Sequence, residues 1–176
     1  LDHLRSALTT LFQDSTFAIG SDRNAVSSSI NYCPLQYTGL MYGNFGPAIR
    51  ASFGEMQFYV QGFTINGSGE QTTNGSATSA NVGGLLSPNT NLQLGFSAGF
   101  ETIALNIEAE AVMSKLSAII GFPPNKPIRF EVDPKFDHPA TLKMRQLVGF
   151  LVEDLSSNGG GAPVVALVEM EQALIT

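Results

Sequence analysis

The hydrophobic pattern of the chain changes near Ala109, and this change constrains the fold more than any other feature. Before Ala109, short apolar runs alternate with Gly, Asn, Ser and Thr, as is typical of strands joined by turns. After it, apolar residues recur at the spacing of an amphipathic helix. We therefore predict a β-rich part over residues 1–108, which opens with a short N-terminal helix, and a helical part over residues 109–176.

The β-rich part is predicted to form an antiparallel sandwich or barrel, because short strands and turns follow one another at near-regular intervals. The clearest strand is 56–61, in which Met56, Phe58 and Val60 share one face. The polar, Gly-rich stretch 66–81 has two interpretations, a pair of weak strands or a disordered loop. The predicted strands cover residues 16–19, 26–32, 36–42, 48–53, 56–61, 70–73, 76–80, 92–96 and 102–107.

The helical part is predicted to contain three helices. The first begins at Ala109 and ends at Gly121, just before two prolines. The second begins at Pro139. The third begins at Pro163 and reaches the last residue without a stop signal, so we expect the chain to be part of a longer protein.

Composition excludes several classes of function. The net charge is -6 and the nine Lys and Arg residues are scattered, which argues against a nucleic-acid-binding surface. No apolar run approaches the roughly 20 residues that span a bilayer, and no signal peptide opens the chain. The single cysteine, Cys33, is expected to be a buried, inert thiol. These features predict a cytoplasmic protein with no membrane partner.

Residues suited to catalysis are sparse. The two histidines, His3 and His138, lie in predicted helix-start regions and not on barrel strands, so we predict no metal site and no cofactor. No Gly-x-Ser-x-Gly motif is present. Aromatic side chains, by contrast, concentrate in the β-rich part, where a barrel can enclose one small ligand. We therefore predict no enzymatic activity and a ligand-binding set of Tyr37, Met41, Phe58, Val60, Leu94 and Phe96.

Several motifs resemble the N-terminal sensor domain of AraC-type transcription regulators. They are the segment 126–134, the helix start at 138–142, the acidic-Leu end of the second helix at 153–155, and the strand-to-helix junction at 103–113. The resemblance covers most of the chain and is tightest from Ile103 onward. It implies a cupin-like barrel or jelly roll, a strand near 127–132, a helical segment that can dimerise, and a separate DNA-binding domain outside these residues.

The resemblance also implies a function, a sensor that binds a small organic effector and forms a homodimer. The predicted dimer face is the apolar face of the second helix, which can pack either on a second subunit or on the barrel: Leu147, Val148, Leu151 and Leu155. Two alternatives stay open at this point. One is a metal-independent cupin-like isomerase or epimerase, and the other is a barrel that serves only in assembly and binds no ligand.

Overall fold

The computed structural model describes residues 15–19, 28–78, 84–130, 139–157 and 164–175, which form ten strands and three helices. The predicted N-terminal helix lies outside the described residues. The strands are β1 (Ser15–Ile19), β2 (Ser29–Pro34), β3 (Thr38–Phe45), β4 (Ile49–Phe53), β5 (Phe58–Asn66), β6 (Gly69–Thr73), β7 (Ser76–Thr78), β8 (Gly84–Leu86), β9 (Leu92–Phe96) and β10 (Phe100–Glu108). The helices are α1 (Ala109–Ile120), α2 (Pro139–Ser157) and α3 (Val164–Ile175).

The strands form two five-stranded sheets. One has the order β1-β4-β9-β6-β7, and we call it the solvent-side sheet. The other has the order β2-β3-β10-β5-β8, and we call it the helix-side sheet. Every described pair is antiparallel, and strands far apart in sequence, such as β3 and β10, lie side by side. The predicted fold class, mainly antiparallel β followed by C-terminal α-helices, is confirmed.

The helix-side sheet buries both of its faces. The alternation predicted for β5 explains this, because neighbouring side chains along a strand point to opposite faces. Val60 points toward the solvent-side sheet and joins the core between the sheets. Tyr59 and Phe63 point the other way and pack beneath the helices, together with Leu105 of β10. The strand-to-helix change falls between Glu108 and Ala109, and one apolar cluster spans strands and helices.

Local turn chemistry sets two of the element boundaries. Gly121 ends α1 in the left-handed conformation, with a φ of 83°, and its N–H bonds the Ser117 carbonyl at 2.9 Å. Asn74 and Gly75 join β6 to β7 with φ values of 49° and 80°, as a two-residue hairpin of the Asn-Gly type requires. The strand interpretation of 66–81 is therefore the right one for β6 and β7, and residues 79–81 lie outside the described part.

The segment after α1 docks on the helix-side sheet through side chains. The Tyr59 hydroxyl donates to the Ile128 carbonyl at 2.9 Å, and the Phe130 N–H donates to the Ser87 hydroxyl at 2.8 Å. The Tyr59 and Phe130 rings meet edge to face at 5.5 Å. The predicted strand near 127–132 is not formed over residues 127–130, because side chains and not a backbone ladder hold them there. Residues 131–132 lie outside the described part.

Tyr59 should make stability fall at alkaline pH. Burial raises the pKa of its hydroxyl above the usual value of about 10. The unfolded chain then loses this proton at a lower pH than the native chain, so the stabilising contribution is complete below about pH 10 and is lost as pH rises through the native pKa. Tyr59→Phe should therefore be less stable than wild type by about 1 kcal/mol at neutral pH, and the gap should narrow above about pH 10.

Chemical denaturation at several pH values checks this expectation. The control is Ser87→Ala, which removes a bond from the same docked segment without removing a titrating group. The loss in free energy of unfolding caused by Ser87→Ala should be the same below and above about pH 10. If the free energies of unfolding of wild type and Tyr59→Phe differ by the same amount on both sides of about pH 10, the raised pKa of Tyr59 is contradicted.

None of the three described helices has the length and apolar character needed to cross a bilayer.

Candidate ligand cavity

A cavity between the two sheets is the candidate functional site. The centre of a water-sized sphere can occupy about 70 Å³ of it, several times the roughly 10–15 Å³ that one water requires. The described residues that line it come from both sheets and the β4–β5 connection. They are Phe17, Met41, Phe45, Ile49, Phe53, Met56, Val60, Gly62, Gln71, Gly84, Leu86, Leu92, Leu94, Phe96, Thr102 and Ala104.

A row of small residues in the helix-side sheet makes room for the cavity. Ala104 of β10 pairs with Met41 of β3 on one side and with Gly62 of β5 on the other. Gly62 in turn pairs with Gly84 of β8. Three of these four neighbours have no side chain or only a methyl group, so little fills the space in front of them. Glycine inside a strand often marks a place where a ligand approaches the backbone closely.

Aromatic rings form two walls of the cavity. The rings of Phe45 and Phe96 stack in parallel with centroids 5.5 Å apart, and Phe100 extends the stack behind Phe96 at 4.4 Å. Phe17 and Phe53 meet edge to face at 5.7 Å. Such contacts hold rings in defined orientations. The cavity therefore has flat apolar surfaces of fixed position.

Polar atoms are few in this lining. Gln71 and Thr102 are the polar side chains among the described lining residues, and none of those residues is charged. Gln71 lies on β6, beside Leu94 of β9, and is 2% exposed. The Thr102 hydroxyl donates to the Phe63 carbonyl at 3.1 Å. The lining thus offers hydrogen bonds but, among the described residues, no acid–base group.

The structure places the sequence-predicted ligand residues in different environments. Met41, Val60, Leu94 and Phe96 all line the cavity. Phe58 packs against the core between the sheets but is not part of the cavity lining. Tyr37 lies on the opposite side of the helix-side sheet, among residues that contact the helices. A direct role in ligand binding stays a prediction for the four residues that line the cavity.

Sequence reasoning missed most of the lining, including Gln71 and the small residues. Gln71 belongs to the polar stretch whose strands are weak in sequence, so nothing marked its side chain as buried. Gly62 and Ala104 are inconspicuous because a small residue carries no local signal of what it faces. The aromatic concentration in the β-rich part was the one usable signal, and it covers Phe45 and Phe53.

Tyr37 belongs to a joint between the barrel and α3. The carboxylate of Glu171, on α3, is 1% exposed. Its Oε1 accepts hydrogen bonds from the backbone N–H groups of Tyr37 and Thr38, both at 2.7 Å, and from the Thr38 hydroxyl at 3.0 Å. A buried carboxylate is costly unless it is hydrogen-bonded, and these donors compensate it. We call this contact the Glu171 joint.

A sequence signal for the joint exists. Glu171 lies four residues after Leu167 and three before Leu174, so it interrupts an apolar stripe on one face of the helix. Leu174 is buried and Leu167 packs against the same cluster. A carboxylate in such a stripe is atypical of a solvent-facing position and points to a buried partner.

The predicted dimer face of α2 packs inside the chain. Leu147, Val148, Leu151 and Leu155 all belong to the cluster between the helices and the helix-side sheet. Val148 and Leu151 are 1% and 0% exposed. Barrel packing, the alternative that the sequence left open, therefore describes these side chains in the single chain, and a dimer contact through them stays a prediction. Phe150 and Leu142, on the other side of α2, are exposed.

Other polar groups of the described part lie away from the cavity. The Tyr42 hydroxyl donates to the Glu101 carboxylate, and this bond raises the pKa of Tyr42. Arg50 and Glu70 approach to 3.7 Å on the outer face of the solvent-side sheet, where both are exposed. No group of three His, Cys, Asp or Glu side chains within the described ranges could hold a metal ion. Cys33 is half-buried and packs against the cluster between the helices and the helix-side sheet.

The family model of the AraC-binding-like domain matches residues 4–176, and the chain therefore belongs to this family. The sensor-domain resemblance predicted from sequence is confirmed. Among curated proteins, no sequence matches this one significantly.

A solved structure supports the fold. The chain is similar to the AraC-like transcriptional activator CuxR, with a TM-score of 0.68, 11% sequence identity and 98% of this chain covered. It spans 62% of the length of that activator. A Cupin 2 conserved barrel domain protein from Salinispora arenicola CNS-205 aligns over 53% of this chain and 83% of its own, with 16% identity and a TM-score of 0.36.

Proposed function

We propose that the chain is the ligand-sensing and dimerisation domain of an AraC-type transcription regulator, which binds a small organic effector in the cavity between its sheets. The cavity itself is the observation that carries this proposal. It is lined by both sheets, and one of these is the sheet on which the helices pack. The described lining lacks ionisable side chains, so the proposed role is binding and not isomerase or epimerase chemistry, which needs a placed acid or base.

Strand β3 contacts both the cavity and the helices. Met41 and Phe45 line the cavity from this strand, whereas Leu40 belongs to the cluster between the helices and the helix-side sheet. Thr38, at the start of the same strand, belongs to the Glu171 joint. A ligand that binds two positions of β3 with different affinity would therefore shift the position of α3 as well.

The partners of the domain follow from the same proposal. We propose a homodimer formed through the helical segment, with exposed Phe150 and Leu142 on α2 as its contact to a second copy. DNA would be bound by a separate domain outside this chain. A cytoplasmic location fits a chain whose single cysteine is free.

Filling the cavity should abolish effector binding. In Ala104→Leu the added side chain enters the space beside Met41 and Gly62. Screening small metabolites by thermal unfolding should find compounds that stabilise wild type and not this variant. A ligand at a hundred times its Kd adds about 2.7 kcal/mol, which raises the Tm of a chain of this size by several degrees.

The matched control is Ala118→Leu, at an exposed position of α1. It should respond to each compound as wild type does. Equal stabilisation of wild type and Ala104→Leu would place binding elsewhere and contradict the proposal. If no compound stabilises the wild type, the result would favour the alternative in which the barrel serves only in assembly.

A further inference from the structure

We infer that the effector is an uncharged, largely apolar molecule of about single-ring size, with one hydrogen-bonding group that contacts the side-chain amide of Gln71. This inference rests on the proposed function, because it specifies the ligand of the same cavity. Three properties of the cavity carry it: the charge of the lining, the position of Gln71, and the size and shape of the free space.

The charge of the lining selects against ions. The described lining residues include no Lys, Arg, His, Asp or Glu. A carboxylate or ammonium group that entered the cavity would lose its hydration shell without gaining an opposite charge, and such burial is strongly unfavourable. A neutral molecule of the same shape avoids this cost. The cavity should therefore discriminate by charge before it discriminates by shape.

Gln71 supplies the polar contact. Its side chain is 2% exposed and lies in the middle of the solvent-side sheet, where β6 pairs with β9. A side-chain amide has two N–H donors and an oxygen with two lone pairs, so it can bond a ligand in addition to protein groups. Thr102 adds a weaker contact, since its hydroxyl proton is directed to the Phe63 carbonyl. An amide, alcohol, phenol or ketone on the ligand can form a hydrogen bond with the Gln71 amide.

Size and shape favour one flat ring. The free space of about 70 Å³ is several times what one water requires, so it can take a small molecule. The stacked rings of Phe45 and Phe96 present a flat surface to it. Met41 and Met56 also line the cavity, and methionine side chains adapt readily to the outline of a ligand.

Three probes of similar shape test the inference: toluene, benzamide and benzoate. Binding to the whole chain is followed at neutral pH by calorimetry and by the NMR signals of the methionine methyl groups. Benzamide should bind more tightly than benzoate by about tenfold or more, because an unpaired buried carboxylate costs more than the free energy of one factor of ten. Benzamide should also bind more tightly than toluene.

Gln71→Leu should remove the preference for benzamide over toluene and leave toluene binding intact. Gln93→Leu is the matched control, because Gln93 lies on the neighbouring strand β9 and is exposed. That control should retain the preference. If Gln71→Leu does not fold, the wild-type ratio of benzamide to benzoate affinity still tests the charge selectivity, and the ratio of benzamide to toluene affinity still tests the polar contact.

The outcomes separate the two proposals. Benzoate binding as tight as that of benzamide would overturn the inferred ligand class while leaving a ligand-binding cavity in place. An unchanged benzamide preference in Gln71→Leu would overturn the assigned contact. If none of the probes binds to a folded wild type, the inferred class is overturned, and metabolites found by the thermal screen would then decide the proposed function separately.

Discussion

Glu171→Ala should lower the free energy of unfolding by about 3 kcal/mol or more. The substitution removes the carboxylate of the Glu171 joint. Two backbone N–H groups and one hydroxyl then lose this acceptor. Each buried donor left unsatisfied costs roughly 1–3 kcal/mol. Because Glu171 is 1% exposed, water reaches these donors poorly. Denaturant unfolding of the variant measures the loss.

Two further variants control this prediction. Glu169→Ala removes an exposed carboxylate from the same helix and should change stability by less than about 0.5 kcal/mol. Glu171→Gln keeps a side-chain oxygen as acceptor and should cost less than Glu171→Ala. Equal stability of Glu169→Ala and Glu171→Ala would mean that the joint contributes nothing.

Hydrogen exchange adds a local test of the joint. The amide protons of Tyr37 and Thr38 bond to Glu171, so Glu171→Ala should accelerate their exchange more than that of the buried Leu105 amide. If effector binding acts through β3, the ligand should alter the same two amides. A uniform change across the chain would indicate a general loss of stability instead.

Leu151→Ala should destabilise the chain by about 2–5 kcal/mol, the usual cost of truncating a fully buried leucine. Leu151 is 0% exposed and packs between α2 and the helix-side sheet. Because this contact lies within one chain, the loss should be the same at low and high protein concentration. Unfolding experiments over a wide concentration range measure it.

Phe150→Ala is the neighbouring control. Phe150 is 56% exposed, so its truncation should change the stability of the monomer by less than about 0.5 kcal/mol. If Phe150 contributes to a dimer, Phe150→Ala should instead weaken association in light scattering. A concentration-dependent loss for Leu151→Ala would show that its face lies between subunits and would favour the dimer contact predicted from sequence.

Much of the secondary structure could be predicted from local pattern. The alternation at Met56, Phe58 and Val60 places these side chains toward one sheet, as β5 confirms. Gly121 ends α1 because glycine adopts the left-handed conformation easily. These features depend on residues close together in the chain, so a single sequence contains the information. The strand expected near 127–132 is not formed over 127–130, because side chains of the sheet bond the backbone there in place of a β ladder.

The candidate site could be predicted only in part. Aromatic concentration indicated the β-rich half, and Met41, Val60, Leu94 and Phe96 do line the cavity. Tyr37 was assigned to the ligand set because it is aromatic and belongs to the strand predicted at 36–42, yet it precedes β3 and lies at the Glu171 joint. Which side of a sheet a turn residue reaches depends on how the turn packs, and the local pattern does not contain that information.

By itself, the sequence determined the type of most elements, the change from strands to helices at Ala109, and which residues of a strand share a face, but it missed β8. It determined these because side-chain periodicity is a local property of the backbone. Only the tertiary structure decided that Ala104, Gly62 and Gly84 stand side by side, that Glu171 meets Thr38, and that Leu151 faces the barrel. Each of these depends on strand register or helix packing between distant segments, and the cavity exists because that register aligns small residues from three strands.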